Sequence, residues 1–310
     1  MAAPTATRHI GLDLGGTNLK WVIVERTGAD WTTVERGQVP TDRGGPTTIV
    51  PQMGATALHA IRAAGGAASV GVGVPGLYLP DEGSIVFLPN VPGEWAGVDV
   101  AGPVSAITGL TTTLINDARA FGLAELRLGA GRGARTMVGL TLGTGVGGVI
   151  CVDGRLFMGY QDTGGELGHT TIQPDGPFCN CGNRGCIEAF AKADEVARLC
   201  GTASPEEAME RAKAGDPVAI GGFAEIGRYL GIALSIYVTA LTPDCVVLGG
   251  GVSAAGELLL GPIRAEVRRR SRVTDLDRIR FTIAELGTWA GAIGAAVHGA
   301  EQAEAVAAGR

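Results

Sequence analysis

Gly165-Glu166-Leu167-Gly168-His169 and, shortly after it, Cys179-Asn180-Cys181-Gly182-Asn183-Arg184-Gly185-Cys186-Ile187-Glu188 bring one imidazole and three thiols into a single short stretch. His169, Cys179, Cys181 and Cys186 make a complete tetrahedral donor set for zinc, and the intervening glycines let so short a loop wrap around an ion. Four protein ligands leave no open position for an activated water, so such an ion is expected to be structural. A redox pair is disfavoured because the run holds Cys-x-Cys but no Cys-x-x-Cys. Glu166 and Glu188 bracket the ligands. A carboxylate at each margin of a metal-fixed loop suits recognition of hydroxyl groups, and solvated surface glutamates are the plain alternative. Metal loss is expected to free the loop from Asp162 to Gly185 while the glycine turns described next stay intact.

Asp13-Leu14-Gly15-Gly16-Thr17-Asn18 is the first of those turns. Its two glycines let backbone approach a ligand and expose N–H groups to anionic oxygens. Asp13, at the end of the preceding strand, is placed to hold a water of hydrated Mg²⁺, which keeps most of its waters and takes few carboxylates. By itself the segment also reads as an ordinary tight hairpin, being neither a Walker loop nor a dinucleotide fingerprint. Leu142-Gly143-Thr144-Gly145-Val146-Gly147-Gly148 offers a second set of backbone donors and a hydroxyl. Two such loops could clamp one polyphosphate, since phosphoryl transfer needs positioning and charge neutralisation more than covalent help. A third turn, Gly249-Gly250-Gly251, could admit the flat face of a nucleoside or simply join a strand to a helix. Asn116-Asp117 stands where a strand meets a helix. Asp117 reads either as an N-cap or as a general base for an attacking hydroxyl, its value then lying in orientation and timing.

These residues need elements to hold them. Arg8 to Leu14 and Leu19 to Glu25 read as a strand pair around Gly15 and Gly16, followed by a strand at Trp31 to Val39 and a helix at Thr56 to Ala64. A buried strand Val70 to Val74, a proline-rich loop to Trp95 and a strand Thr111 to Ile115 lead to the helix after Asn116. Beyond the metal loop come a broken helical region from Ile187 to Leu241, strands at Cys245 to Leu248 and Ile279 to Ala284, and a last helix from near Trp289. Gly11, Leu12, Leu14 and Gly15 recur as Gly139, Leu140, Leu142 and Gly143, and Val24 as Val152, which points to two lobes of common origin. The expected division is a small α/β domain of residues 1–116, with the helix at about 289–310 packing back on it, and a large one of residues 117–288 carrying the metal loop.

Composition agrees with this and excludes some alternatives. A chain of 310 residues exceeds one typical core, and 45% hydrophobic content with 5% aromatic calls for an interior of Ala, Val, Leu and Ile packed through 51 glycines. A net charge of -6, with no basic run longer than Arg268 to Arg270, argues against a nucleic-acid or membrane partner. No basic segment followed by an apolar stretch opens the sequence, so a soluble cytoplasmic protein is expected. Cys151, Cys200 and Cys245 lie singly among apolar residues and read as buried thiols.

Asp13 to Thr17, Asn116-Asp117-Ala118, Leu142 to Gly148, Glu166 to His169 and the cysteine run ending at Glu188 together resemble the ROK family (repressors, open reading frames and kinases) over about residues 8 to 300. His169 combined with C-x-C-G-x-x-G-C-x-E is the specific part, whereas the glycine loops alone are not. The resemblance implies an α/β, two-lobed, actin-like ATPase fold of the hexokinase and ribonuclease H-like type, with a cleft between the lobes. It implies MgATP as donor and a homodimer, or a tetramer built from it. Asp117 is then the base for a sugar 6-hydroxyl, and Asn116, Asp117, Glu166, His169 and Glu188 contact the sugar, with Gly76 and Asn90 as further contacts. His169 would serve both zinc and sugar. Phosphorylation of glucose to glucose 6-phosphate is the expected reaction. Arg119, where relatives carry Asn, and Ala189-Phe190-Ala191-Lys192 after Glu188 depart from the glucokinase pattern, so mannose, N-acetylhexosamines, amino sugars and cyclitols stay open. Polyphosphate is the alternative donor, although the complete cysteine motif and Gly249 to Gly251 favour ATP. The family's sugar-responsive regulators carry a helix-turn-helix ahead of the first glycine loop, which here lies near the start of the sequence, so a regulator is the lesser expectation.

Overall fold

The computed structural model describes residues 6–160 and 162–309. They form two compact units, one running up to Leu128 and resuming at Thr288, the other Gly129–Gly287.

In the first unit β1 (Thr7–Leu14), β2 (Asn18–Thr27) and β3 (Asp30–Pro40) make an antiparallel meander. Helix α1 (Pro46–Ala63) leads to β4 (Val70–Val74), a small hairpin of β5 (Leu77–Leu79) and β6 (Ser84–Phe87), then α2 (Ala101–Thr108), β7 (Thr112–Asn116) and α3 (Asp117–Leu128). The sheet order is β3-β2-β1-β4-β7, with β1, β4 and β7 parallel. Strand alternation gives β1 two faces. Ile10, Leu12 and Leu14 join Ile49, Met53 and Ala57 of α1 in one core. Gly11 and Asp13 turn to the other face, where a Cβ on Gly11 would lie 1.9 Å from the Ala292 carbonyl of the final helix.

The second unit repeats the plan. Its sheet runs β10 (Arg155–Leu156), β9 (Val146–Val152), β8 (Met137–Leu142), β11 (Cys245–Gly249), β12 (Arg280–Ile283), with β8, β11 and β12 parallel and β9 antiparallel to β8. Between β10 and β11 lie the cysteine-rich loop and the helices α4 (Glu188–Ala191), α5 (Ala193–Cys200), α6 (Pro205–Lys213) and α7 (Pro217–Leu241). Helix α8 (Glu257–Arg270) separates β11 from β12, and α9 (Ala290–Ala307) returns to the first unit. Helix α7 is long and apolar enough to cross a membrane by length and composition alone. It is instead a core helix, burying Phe223, Ile226, Leu230, Leu234 and Val238. Each unit thus has the ribonuclease H-like strand order, third-second-first-fourth-fifth, of the actin-like ATPases.

Several elements differ from those the sequence predicts. Helix α3, expected to open the second domain at Asp117, packs with the first unit, where Arg127 pairs with Glu301 of α9 at 2.7 Å and Gly294 of α9 lies against the Ala120 backbone. Val24 corresponds to Cys151 rather than Val152, since His9 faces Val24 and Met137 faces Cys151. The β8–β9 turn is one residue shorter than the β1–β2 turn, which shifts everything after it. The helix read from Thr56 begins a decade earlier with proline in its first turn, and the loop to Trp95 contains the β5–β6 hairpin.

Candidate active site

In an open α/β sheet, ligands gather at the carboxyl ends of the parallel strands. The candidates of the first unit collect there. Asp13 is one residue from the end of β1, and Asn116 ends β7; both strands flank β4. Asn116 is buried, and its Oδ1 accepts from the Ala118 and Arg119 N–H groups at 3.0 and 3.3 Å. Asn116 therefore caps α3, a role the sequence alone offered to Asp117. Asp117 becomes the first residue of the helix, exposed, with Oδ1 accepting from Ala118 N at 2.8 Å. The Asn116 amide donates to the Gly76 carbonyl at 3.1 Å, and Gly76 has φ +130°. Gly16 can only be glycine, since a Cβ would lie 2.2 Å from the Asn90 carbonyl. Asn116 and Gly76 are thus neighbours, as are Asn90 and the Gly15-Gly16-Thr17-Asn18 turn, and the two pairs meet at Pro89, whose Cδ would lie 2.9 Å from a Cβ on Gly76.

Asp13 shares its face with Gly291 at the start of α9, where a Cβ would lie 2.8 Å from the carboxyl group. Burial raises its pKa to about 6, the Lys20 charge working against the rise and the Asp117 charge adding to it. Lys20 was missed by the sequence reading, although hairpin register alone places it opposite Asp13. Its ammonium donates to the Thr288 carbonyl at 2.6 Å and stands 5.9 Å from the Trp289 ring, which also carries Arg36 at 4.9 Å. Thr41 was missed too. Its hydroxyl donates to the Gly15 carbonyl at 2.7 Å and its N–H to the Thr17 carbonyl at 2.9 Å, bracing the turn.

In the second unit His169, Cys179, Cys181 and Cys186 converge, their donor atoms all within 4.8 Å of one another. Cys179 Sγ is 3.6 Å from His169 Nδ1, and Cys181 Sγ is 3.7 Å from Cys186 Sγ. A tetrahedron with metal–sulfur bonds of about 2.3 Å has edges of about 3.8 Å, so the donor set and its size fit zinc. Burial pushes the Cys179 thiol to about 12, whereas the Asn183 N–H lowers that of exposed Cys181. The tip folds as a short bridge of Phe178 with Arg184, whose guanidinium stacks on the Phe178 ring at 4.0 Å. Glu166 precedes the 3-10 turn Leu167–His169 and is exposed. That turn hangs on Tyr237 of α7, whose hydroxyl donates to the Leu167 carbonyl at 2.7 Å. A tyrosine on a core helix gives no sequence signal of this. Glu188 opens α4, half-buried, with Oε2 accepting from Val146 N at 3.0 Å.

Gly143, Thr144 and Gly145 turn β8 into β9; no atom stands within 4 Å of a Cβ built on Gly143, so that face is open. Gly249 ends β11, and Gly250 turns across the Leu142 end of β8 with φ +82° before Gly251 begins a 3-10 turn. The two glycine turns of this unit therefore share one sheet edge.

The ROK family model matches residues 9–301. The glucokinase of Thermotoga maritima is 36% identical over 83% of this chain and 86% of its own length. The ROK hexokinase of Thermus thermophilus superposes with TM-score 0.84 at 32% identity, over 97% of this chain and 99% of that one. A ROK glucokinase of Streptomyces griseus in complex with glucose and AMPPNP matches with TM-score 0.77 at 30% identity, over 95% and 99%. By the extent of these matches, and with the His-Cys-Cys-Cys quartet assembled in three dimensions, the chain belongs to the ROK family.

Proposed function

We propose that this protein is an ATP-dependent sugar kinase that transfers the γ-phosphoryl group of MgATP to the 6-hydroxyl of a hexose, glucose being the first candidate. The observation that carries the reading is the transfer of the capping role to Asn116. It leaves Asp117 at the carboxyl edge of the sheet, near enough to Asp13 for the two charges to interact. Asp117 takes the proton of the attacking hydroxyl as its oxygen bonds to phosphorus, and the bond to ADP breaks. In the first unit the residues proposed for the sugar are Gly76, Asn90, Asn116 and Asp117; in the second they are Glu166, His169 and Glu188. The Asp13 to Asn18 turn, the Gly143 to Gly145 turn and Gly249 to Gly251 are proposed for the nucleotide, their N–H groups facing phosphate oxygens. Bound Mg²⁺ would neutralise phosphate charge, with Asp13 holding one of its waters.

His169, Cys179, Cys181 and Cys186 are proposed to hold a structural zinc. The Nδ1 atom of His169 faces the Cys179 thiol, leaving Nε2 for a sugar hydroxyl. The glucokinases and the glucose complex among the relatives support glucose as acceptor. An ADP-release assay over a panel of glucose, mannose, N-acetylhexosamines, amino sugars and cyclitols, with ATP or polyphosphate as donor, tests the reading. Turnover with at least one of these sugars and MgATP is expected. Absence of turnover across the whole panel would overturn it.

A further inference from the structure

Val146, the first residue of β9, is held from two sides. Its N–H donates to Glu188 Oε2 at 3.0 Å. Its carbonyl lies against Gly168, where a Cβ would stand 1.7 Å from the oxygen. Gly168 immediately precedes His169, and Glu188 lies just beyond Cys186, so the two segments that meet at Val146 are those a metal would tie together. The other Glu188 oxygen is 3.5 Å from Cys179 Sγ. The glycine turn itself is fastened to the same side, since the Gly143 carbonyl accepts from the Ala193 N–H at the start of α5, at 2.8 Å. Gly145 leaves room for this arrangement, because a Cβ there would be 2.5 Å from Glu188 Oε2.

We propose that Glu188 is a positioning residue for the phosphate donor: through the Val146 N–H it fixes the second glycine hairpin, so the state of the metal loop sets nucleotide affinity as well as sugar affinity. The proposal rests on the kinase reading above. It opposes the simpler expectation that metal loss leaves both hairpins intact. A hydrogen bond to a carboxylate is among the stronger ones a protein makes, and releasing it frees a loop whose N–H groups must be pre-aimed to bind phosphate.

The test is calorimetric titration of Mg²⁺ and AMPPNP, without sugar, into the parent protein, Glu188→Gln, Glu188→Ala, Gly145→Ala and the parent stripped of metal by a chelator. Melting curves and zinc content are recorded for each. Glu188→Gln keeps an acceptor oxygen for Val146 and should hold nucleotide affinity within about threefold, while sugar affinity falls. Glu188→Ala, Gly145→Ala and the stripped parent should each bind AMPPNP at least about tenfold more weakly. A residue that served the sugar alone would leave AMPPNP affinity unchanged in Glu188→Ala and in the stripped parent, whatever Gly145→Ala does to the turn itself. If the stripped parent and Glu188→Ala, both still folded by their melting curves, bind AMPPNP like the parent, the proposal is wrong. A parent that binds no AMPPNP would overturn the kinase reading and this proposal with it, whereas normal binding indifferent to these changes would overturn the proposal alone.

Discussion

Two aspartates at one sheet edge are set apart by their surroundings. Asp117 is exposed at the first turn of α3, with Asn116 doing the capping. Replacing it by Asn keeps the shape and removes the proposed base. Asp117→Asn is expected to melt like the parent and to keep sugar affinity while kcat falls at least about a hundredfold. Steady-state kinetics with the best sugar of the panel checks this, and an unchanged kcat would remove Asp117 from the chemistry. Asp13 carries a pKa raised by burial to about 6. Its folded value exceeds the unfolded one, so by itself it lowers stability as pH rises from about 4 through about 6. The proposed hold of Asp13 on hydrated Mg²⁺ needs its ionised form. Affinity for Mg²⁺ with AMPPNP should therefore weaken as pH falls through about 6, and Asp13→Asn should bind weakly at every pH. A flat affinity from pH 5 to 8 in the parent would separate Asp13 from the metal.

At the scale of elements, the cysteine-rich loop is held internally by short local turns and isolated bridges rather than by a strand or a long helix, so its place in the unit depends on anchors. One is the quartet of ligands. Cys181→Ser exchanges a soft thiolate for a weak hydroxyl ligand and is expected to lose most of about one zinc per chain, with a large loss of sugar affinity. Elemental analysis and sugar titration measure both; retention of full sugar affinity after metal loss would break the proposed link. The other anchor is Tyr237, which reaches the Leu167 carbonyl from α7. Tyr237→Phe removes one of two donors to that carbonyl, the Thr170 N–H at 3.1 Å remaining, and should cost about 1 kcal/mol in denaturant unfolding. It should also weaken zinc retention, because the 3-10 turn that presents His169 hangs from this bond.

Across the molecule, the first unit is completed by a helix from the far end of the chain. Helix α9 lies close enough to β1 and β4 that Gly11 and Gly71 each meet its backbone carbonyls. It carries His298, buried beside the Leu114 backbone, with a pKa lowered by burial to about 4. An unfolded histidine takes its proton near pH 6.5, and the folded one does not until about pH 4. Stability should therefore fall as pH drops from about 6.5 to 4 and level off below, by on the order of 3 kcal/mol from this group. His9 on β1, also lowered by burial, adds in the same direction. Melting temperature against pH should show this acid limb, and His298→Gln should flatten it. A parent whose melting temperature is constant from pH 7 to 4.5 would contradict it.

The sequence by itself singled out His169, Cys179, Cys181 and Cys186 as one set, because ligand type and spacing within one short loop admit few readings, and their donor atoms do converge in space. It determined the glycine turns and most strands through alternation, and the recurrence of Gly11 to Gly15 as Gly139 to Gly143 gave the repeated plan that the two sheets share. Only the tertiary structure decided which of Asn116 and Asp117 caps α3, because both residues suit a helix start and the choice follows from where each side chain points. It alone assigned α3 to the first unit, since helix partners are set by packing between distant segments and leave no local pattern. The short β8–β9 turn, which moves Val24's counterpart to Cys151, is likewise a matter of hydrogen-bond register. Thr41, Tyr237 and the grip of Glu188 on Val146 join residues far apart in sequence through one or two hydrogen bonds each. Such bonds depend on distance in space, which composition and spacing along the chain do not encode.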